Sequence, residues 1–207
     1  MKNQHIHFFS IILCLVLAIA CCSCTTFPRR DLSVPEYRAK AVDAYLAEFS
    51  DSFEGSKIGP AIHEVLMRMP QDALKIILNR RRPVLFVGVC SSGTAKFASS
   101  SEVIICEKDV PAFQQGMTII KISDSLASGS SDAIMGIVAH ELAHRVLDHI
   151  RHNHVSCQAE REANRLIKSW GFAKEYAAAS KEFGHAKVGD GVASCQEEAP
   201  EKKELIK

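Results

Sequence analysis

From Ser131 to Ile150 the chain reads SDAIMGIVAHELAHRVLDHI, with no proline and with apolar side chains on several sides of a helical wheel: Ile134, Ile137, Val138, Leu142, Val146 and Leu147. A helix of this kind has to be buried, so the rest of the chain must supply the layers that cover it. Ser131 and Asp132 provide start signals, and no breaker follows Gly136. Set into this pattern are His140, Glu141 and His144, in the order H-E-x-x-H. At about 100° per residue the two histidines project within about 40° of each other, so two neutral imidazoles can meet one metal ion from one face. Glu141 then lies beside that metal. There a carboxylate can take a proton from a water that zinc has acidified towards a pKa of ~7, and pass it to a leaving amine. The competing reading is a core helix with incidental histidines, since the chain holds nine His. The apolar, capped context favours the metal site.

A third ligand is expected from the next helical pattern, Cys157 to Trp170, CQAEREANRLIKSW. Glu160 and Asn164 share a face one turn apart. Glu160 is the expected ligand, with Asn164 behind it orienting a ligand histidine by hydrogen bond, the arrangement by which the gluzincin class completes its site. Glu162 points about 200° away from Glu160, towards solvent or a surface ion pair. His149, nine residues after His140, falls about 180° round a continuous helix and cannot join the site unless the helix breaks. His152 and His154 are expected to be solvated in the connecting loop. Tyr176 and His185, by position after the second helix, are candidates for stabilising an oxyanion.

The run SSDAIMGIVAHELAHRVLDH resembles the active-site helix of the HtpX/BepA-type metallopeptidases, relatives of the CAAX prenyl endopeptidases, and EREAN is similar to their E-x-x-A-D segment. The resemblance covers roughly Lys96 to Gly171. It implies one Zn²⁺ per chain held by His140, His144 and Glu160, with Glu141 as catalytic base and His149 matching a recurrent histidine that binds no metal. The chain departs from the pattern in having Asn164 where the family has Asp, and in its short loop between the helices. ImmA/IrrE-type peptidases also resemble the chain at EREAN, while thermolysin-like enzymes share only the minimal ligand logic.

At the N-terminus, Lys2 precedes an apolar run from Phe8 to Ala20, too short for a confident membrane span and ending in LAIAC. This pattern predicts a secretory signal and resembles a lipobox, with Cys21 the expected lipidated residue and Cys22 or Cys24 as alternatives. The implied location is the cell envelope, on the outer membrane facing the periplasm. Residues 1–24 are thus assigned to the signal and anchor region, 25–35 to a polar tether, 36–183 to a zinc metallopeptidase domain and 184–207 to a polar tail expected to be disordered. A hydrophobic content of 47% with 24% charged residues suits one globular domain. A net charge of +1 without a broad basic stripe argues against a nucleic-acid partner. The one dense basic cluster, Arg80 to Arg82, reads as a solvated helix end.

The expected fold is α+β: a small gluzincin-like core with N-terminal helices, a short sheet of about three strands, the H-E-x-x-H helix and the Glu-bearing helix. Apolar spacing predicts helices at Pro35 to Phe49, Ile58 to Met69 and Gln71 to Arg80, the last two split by Pro70. His63 is expected at the surface or at a cap. Val84–Val89, Glu102–Cys106 and Met117–Ile122 read as strands, one of which should be an edge able to accept an extended substrate. A packing helix is expected from Gly171 to Phe183. Cys90 and Cys106 lie at the ends of predicted strands and are candidates for a bridge, with Cys157 and Cys195 completing an even number in an exported domain. The function expected is a lipid-anchored zinc endopeptidase acting on unfolded or misassembled envelope proteins. The alternative is a non-hydrolytic zinc-binding lipoprotein with an assembly or chaperone-like role.

Overall fold

In the computed structural model, the residues described are 31–51, 53–90, 97–103, 116–149 and 156–184. They form a mixed α+β arrangement of six helices and a three-stranded sheet. Helix α1, Pro35–Phe49, begins on a proline whose fixed φ suits a first turn. Helices α2, Ile58–Arg68, and α3, Gln71–Ile77, are separated at Pro70 as the sequence predicts. The α2 C-terminus is held by Arg38, whose guanidinium donates to the carbonyls of Met67 and Met69, both at 2.6 Å. His63 lies on the surface, 3.1 Å from Asp43. Helix α3 stops at Ile77, short of Arg80. Asn79 closes the following turn by accepting from the Arg81 N–H at 3.0 Å.

Strands β1, Val84–Val89, and β3, Met117–Ser123, pair in parallel, and β2, Ala98–Val103, pairs antiparallel with the other side of β3, giving the order β1-β3-β2. The second strand therefore lies earlier than its apolar run suggests. Pairing of Ser99, Ser100 and Ser101 with Lys121, Ile120 and Ile119 brings a polar serine run into the sheet, because ladder bonds form independently of side-chain polarity. Alternate residues Val84, Phe86, Thr118, Ile120 and Ile122 are buried on one face. Tyr45 of α1 joins the sheet to the helices: its hydroxyl accepts from the Val84 N–H at 2.7 Å and donates to the Val84 carbonyl at 3.1 Å. Burial pushes its pKa up to about 12, against the lowering effect of that backbone bond.

After a short 3₁₀ turn at Asp124–Ser128 comes α4, Ser131–Val146, the element that the others cover. Every residue from Ala133 to Arg145 is buried, and α2, α3, β2 and the two later helices all pack on it. These are α5, Cys157–Ser169, and α6, Ala173–Phe183. Ser130 caps α4, accepting from the Ala133 N–H at 3.2 Å. Gly136 lets α6 approach closely: a Cβ there would lie 2.3 Å from the Glu175 carbonyl oxygen. This close approach explains a glycine in mid-helix, where alanine would otherwise be favoured by about 1 kcal/mol.

Two expectations are corrected at the C-terminal end of α4. The helix does not continue to Ile150; it ends at Val146, and Asp148 adopts φ 59°, a left-handed conformation that Asp tolerates better than most residues. Nor is Arg82 solvated: it is largely buried and donates to Glu102 of β2 at 2.7 Å and to Asp148 at 2.6 Å. Its backbone carbonyl accepts from Arg145 at 3.3 Å. The arginine ties the turn after α4 to the sheet.

Cys90 is a free, exposed thiol and Cys157 is disulfide-bonded, so the Cys90–Cys106 bridge is not formed. Cys21, Cys22, Cys24, Cys106, Cys195, His152, His154 and His185 lie outside the described residues, as do the predicted signal, most of the tether and most of the tail. Among the described residues, no helix is long and apolar enough to cross a membrane.

Candidate metal centre

Helix α5 brings Glu160 to α4 through its own amphipathic pattern. Ser156 caps it, accepting from the Ala159 N–H at 3.1 Å, and Ala159, Ala163 and Ile167 form a buried stripe at i, i+4 and i+8. Glu160, beside that stripe in the first turn, is carried inward with it, only 9% exposed. Its carboxylate spans the two histidines: Oε2 lies 3.0 Å from His140 Nε2 and Oε1 lies 3.3 Å from His144 Nε2. The two Nε2 atoms are 3.0 Å apart.

This geometry fits a metal. Nitrogen and oxygen ligands about 2.05 Å from a tetrahedral zinc are separated from one another by about 3.3 Å, close to the three spacings found here. A buried group of His140, His144 and Glu160, with one ligand atom from each within 4.8 Å of the others, can hold a metal ion. The donor set of two imidazoles and one carboxylate suits zinc, though the same set also accepts other first-row divalent ions.

Electrostatics support a charged carboxylate. Burial pushes the Glu160 carboxyl up, but hydrogen bonds from His140 and His144, together with their charge, outweigh that and hold it down at about 2. For His144, burial lowers the imidazole pKa, yet the bond to Glu160 and the charges of Glu141 and Glu160 bring a net rise. Glu141 is 5% exposed, beside His140 on α4, and its charge reaches His144. It therefore stands next to the group as a buried carboxylate.

The surroundings differ from what helical spacing predicts in two places. Asn164 Oδ1 is buried without a hydrogen-bond partner, and so is His140 Nδ1, so the expected bond from Asn164 to a ligand histidine is not formed. His149, set aside by its 180° offset, instead packs against His144: their Nδ1 atoms are 3.2 Å apart. Glu162 makes an ion pair as expected, its side chain 33% exposed and 3.0 Å from His149 Nε2. The signal that could have revealed these contacts is Asp148, a residue able to take the left-handed turn that ends the helix and swings His149 back. Tyr176 is covered by Lys168, 4.8 Å from its ring centroid.

No family model, curated protein or solved structure matches the chain.

Proposed function

We propose that this chain is a zinc endopeptidase of the gluzincin type, related to the HtpX/BepA-type metallopeptidases. The observation that carries the reading is the convergence of His140, His144 and Glu160 on one buried point, with the Glu141 carboxylate beside it on α4. Zinc held there would supply Lewis acidity towards a scissile carbonyl and would acidify a water to near neutrality. Glu141 is the group that takes the proton of the attacking water onto a carboxylate oxygen and delivers it to the leaving amine. The burial of α4 limits competing solvent around that carboxylate.

The sheet supports binding of an extended peptide. The outer edge of β1 is occupied: the Asp51 N–H donates to the Phe86 carbonyl at 2.9 Å, and Asp51 Oδ2 accepts from the Gly88 N–H at 2.8 Å. The outer edge of β2 has no strand partner among the described residues, and β2 packs on α4. A substrate in extended form would add to β2 through main-chain bonds. Recognition through the backbone suits unfolded or misassembled proteins, the substrate class proposed here, within the cell envelope.

A second reading, a non-hydrolytic zinc-binding lipoprotein with an assembly or chaperone-like role, is favoured by Asn164. A neutral amide with an unpartnered oxygen gives a ligand histidine less support than a carboxylate would. Metal analysis of the purified chain, followed by digestion of an unfolded casein-type substrate with and without chelator, separates the two. About one zinc per chain and chelator-sensitive cleavage are expected. Zinc without cleavage of any unfolded substrate would favour the second reading, and absence of bound zinc would defeat both.

The proposed location is the outer membrane, facing the periplasm, through a lipid on Cys21. Small residues and an apolar run precede that cysteine. Cys21→Ala is expected to move the protein from the membrane fraction to the soluble envelope fraction. Unchanged fractionation would remove Cys21 as the anchor and direct the test to Cys22 or Cys24.

A further inference from the structure

Strand β2, the edge proposed to accept an extended peptide, is fastened at both ends to the layer that carries the metal group. Just before its first residue, Phe97 stacks on Phe183 of α6, with ring centroids 4.3 Å apart, and α6 packs closely on α4 at Gly136. At its other end Glu102 is held by Arg82, and the same guanidinium holds Asp148 in the turn after α4. We infer that Arg82 is a positioning residue for substrate: it seats the peptide-accepting edge of β2 against the helix that bears His140, Glu141 and His144. The inference rests on the proposed function and goes beyond it by naming the residue that sets the edge's position relative to the reacting centre.

Cross-strand partners point to the same face of a sheet, and Glu102 is paired with Thr118, which is paired in turn with Val84. Thr118 and Val84 are fully buried, on the face shared with Phe86, Ile120 and Ile122. Glu102 therefore carries a carboxylate onto the apolar face, where its side chain is only 4% exposed. An ionised carboxylate is tolerated there only when it is paired and hydrogen-bonded. Arg82 meets that need from two nitrogens: Nε donates to Glu102 Oε1 at 3.1 Å, and Nη2 donates to the same oxygen at 2.7 Å. The second hydrogen of Nη2 goes to Asp148 Oδ1 at 2.6 Å. One nitrogen thus bridges a carboxylate of the edge strand and a carboxylate beyond α4. A lysine ammonium, lacking the planar fork, matches that arrangement less well.

Arg82 is itself fixed through its backbone. Arg145, buried in the last turn of α4, donates to the Arg82 carbonyl at 3.3 Å, and the Arg82 N–H donates to the Asn79 carbonyl at 3.0 Å. The carbonyl of the next residue, Pro83, accepts from the Thr118 N–H at 2.9 Å. The guanidinium therefore projects from a segment bound to both β3 and α4. Between its two fastenings β2 consists of Ala98 and three serines, whose side chains bury little apolar area, so the ends decide how the strand sits on α4. A peptide bound through main-chain bonds takes its position from the strand it joins. An edge seated only part of the time binds peptide in proportion to that fraction, so loosening the Glu102 end raises KM.

Steady-state cleavage of an unfolded casein-type substrate by the zinc-loaded full chain tests this role. Removing Arg82 alone would leave Glu102 buried and unpaired, so the informative variants are Arg82→Lys, Asp148→Asn and the doubly neutral Arg82→Met/Glu102→Leu. Asn tolerates the left-handed conformation at position 148 as Asp does. The double variant is expected to raise KM about 10-fold, as for an edge seated about a tenth of the time, with kcat and zinc content little changed. Asp148→Asn should raise KM less, because the Arg82–Glu102 pair persists, and Arg82→Lys should fall between the wild type and the double variant. Without substrate, backbone amide hydrogen exchange in the double variant should quicken in β2 from Ser101 to Val103 and not in the buried middle of α4. Unchanged KM or unchanged β2 exchange in the folded double variant would overturn the inference. So would parallel losses of kcat, zinc and substrate binding, the mark of a general structural role. A wild type that cleaves no unfolded substrate would remove the proposed function and this role with it, whereas a cleaving wild type with unaltered variants would remove this role alone.

Discussion

Glu141→Gln is expected to lower peptide hydrolysis by about 10²–10⁴-fold while leaving the zinc content of the protein unchanged. The amide keeps the size of the side chain in a position only 5% exposed, so neither a cavity nor an overpacked contact is introduced. What it removes is an oxygen able to accept the water proton. It also removes a charge that helps to raise the His144 pKa, which gives a second readout in the metal-free protein independent of turnover. The kinetic loss should fall on kcat with little change in KM, since Glu141 is assigned to proton transfer and not to holding the peptide. Full turnover by this variant would eliminate the general-base role, whereas loss of zinc together with activity would show that Glu141 supports the metal group itself.

Side-chain pattern carries much of this architecture, and single-residue backbone choices carry the rest. The apolar residues on several sides of α4 required a covering layer, and α2, α3, α5, α6 and β2 supply it. Pro35 and Pro70 marked helix boundaries through their fixed φ and missing N–H, and those boundaries stand where the prolines put them. Glu160 was accessible because helical spacing alone places it on the face of Asn164, beside the apolar stripe of α5. His149 was not, because its position depends on one left-handed residue, Asp148, which no periodicity reveals. Once the helix stops at Val146, angles counted along a continuous helix lose their meaning. Glu162 follows the same logic, since its partner could not be named until His149 had turned back.

Charged and polar residues outside the helices were harder to place for a related reason. Arg82 sits in a run of three arginines that reads as solvated, and its burial results from two acids far apart in sequence, Glu102 and Asp148. An ion pair of that kind is visible only after β2 has been paired with β3. Side-chain pattern places β2 too late because Ser99 to Ser101 lack the β-branched side chains that mark strands, while hydrogen bonding to β3 recruits them regardless.

Glu160→Ala is expected to weaken zinc binding by more than the 10–100-fold typical of residues that merely support a ligand. It deletes a carboxylate that lies 3.0–3.3 Å from both ligand nitrogens. Glu162→Ala is the informative comparison, although not as an inert control, because Glu162 touches His149 and through it His144. The expected order is a severe loss for Glu160→Ala, an intermediate one for Glu162→Ala, and a gain for Asn164→Asp. The last follows from two buried atoms without hydrogen-bond partners, His140 Nδ1 and Asn164 Oδ1. Asn164 lies one turn along α5 from the carboxylate that meets His140. If a small rearrangement on metal binding brings these two atoms together, a carboxylate at position 164 would make a charge-assisted bond to the imidazole, and zinc should bind up to about 10–100-fold more tightly. Chelator competition on the folded variants measures all three. Equal losses from Glu160→Ala and Glu162→Ala would remove Glu160 as the third ligand, while an unchanged affinity in Asn164→Asp would remove only the proposed support of His140.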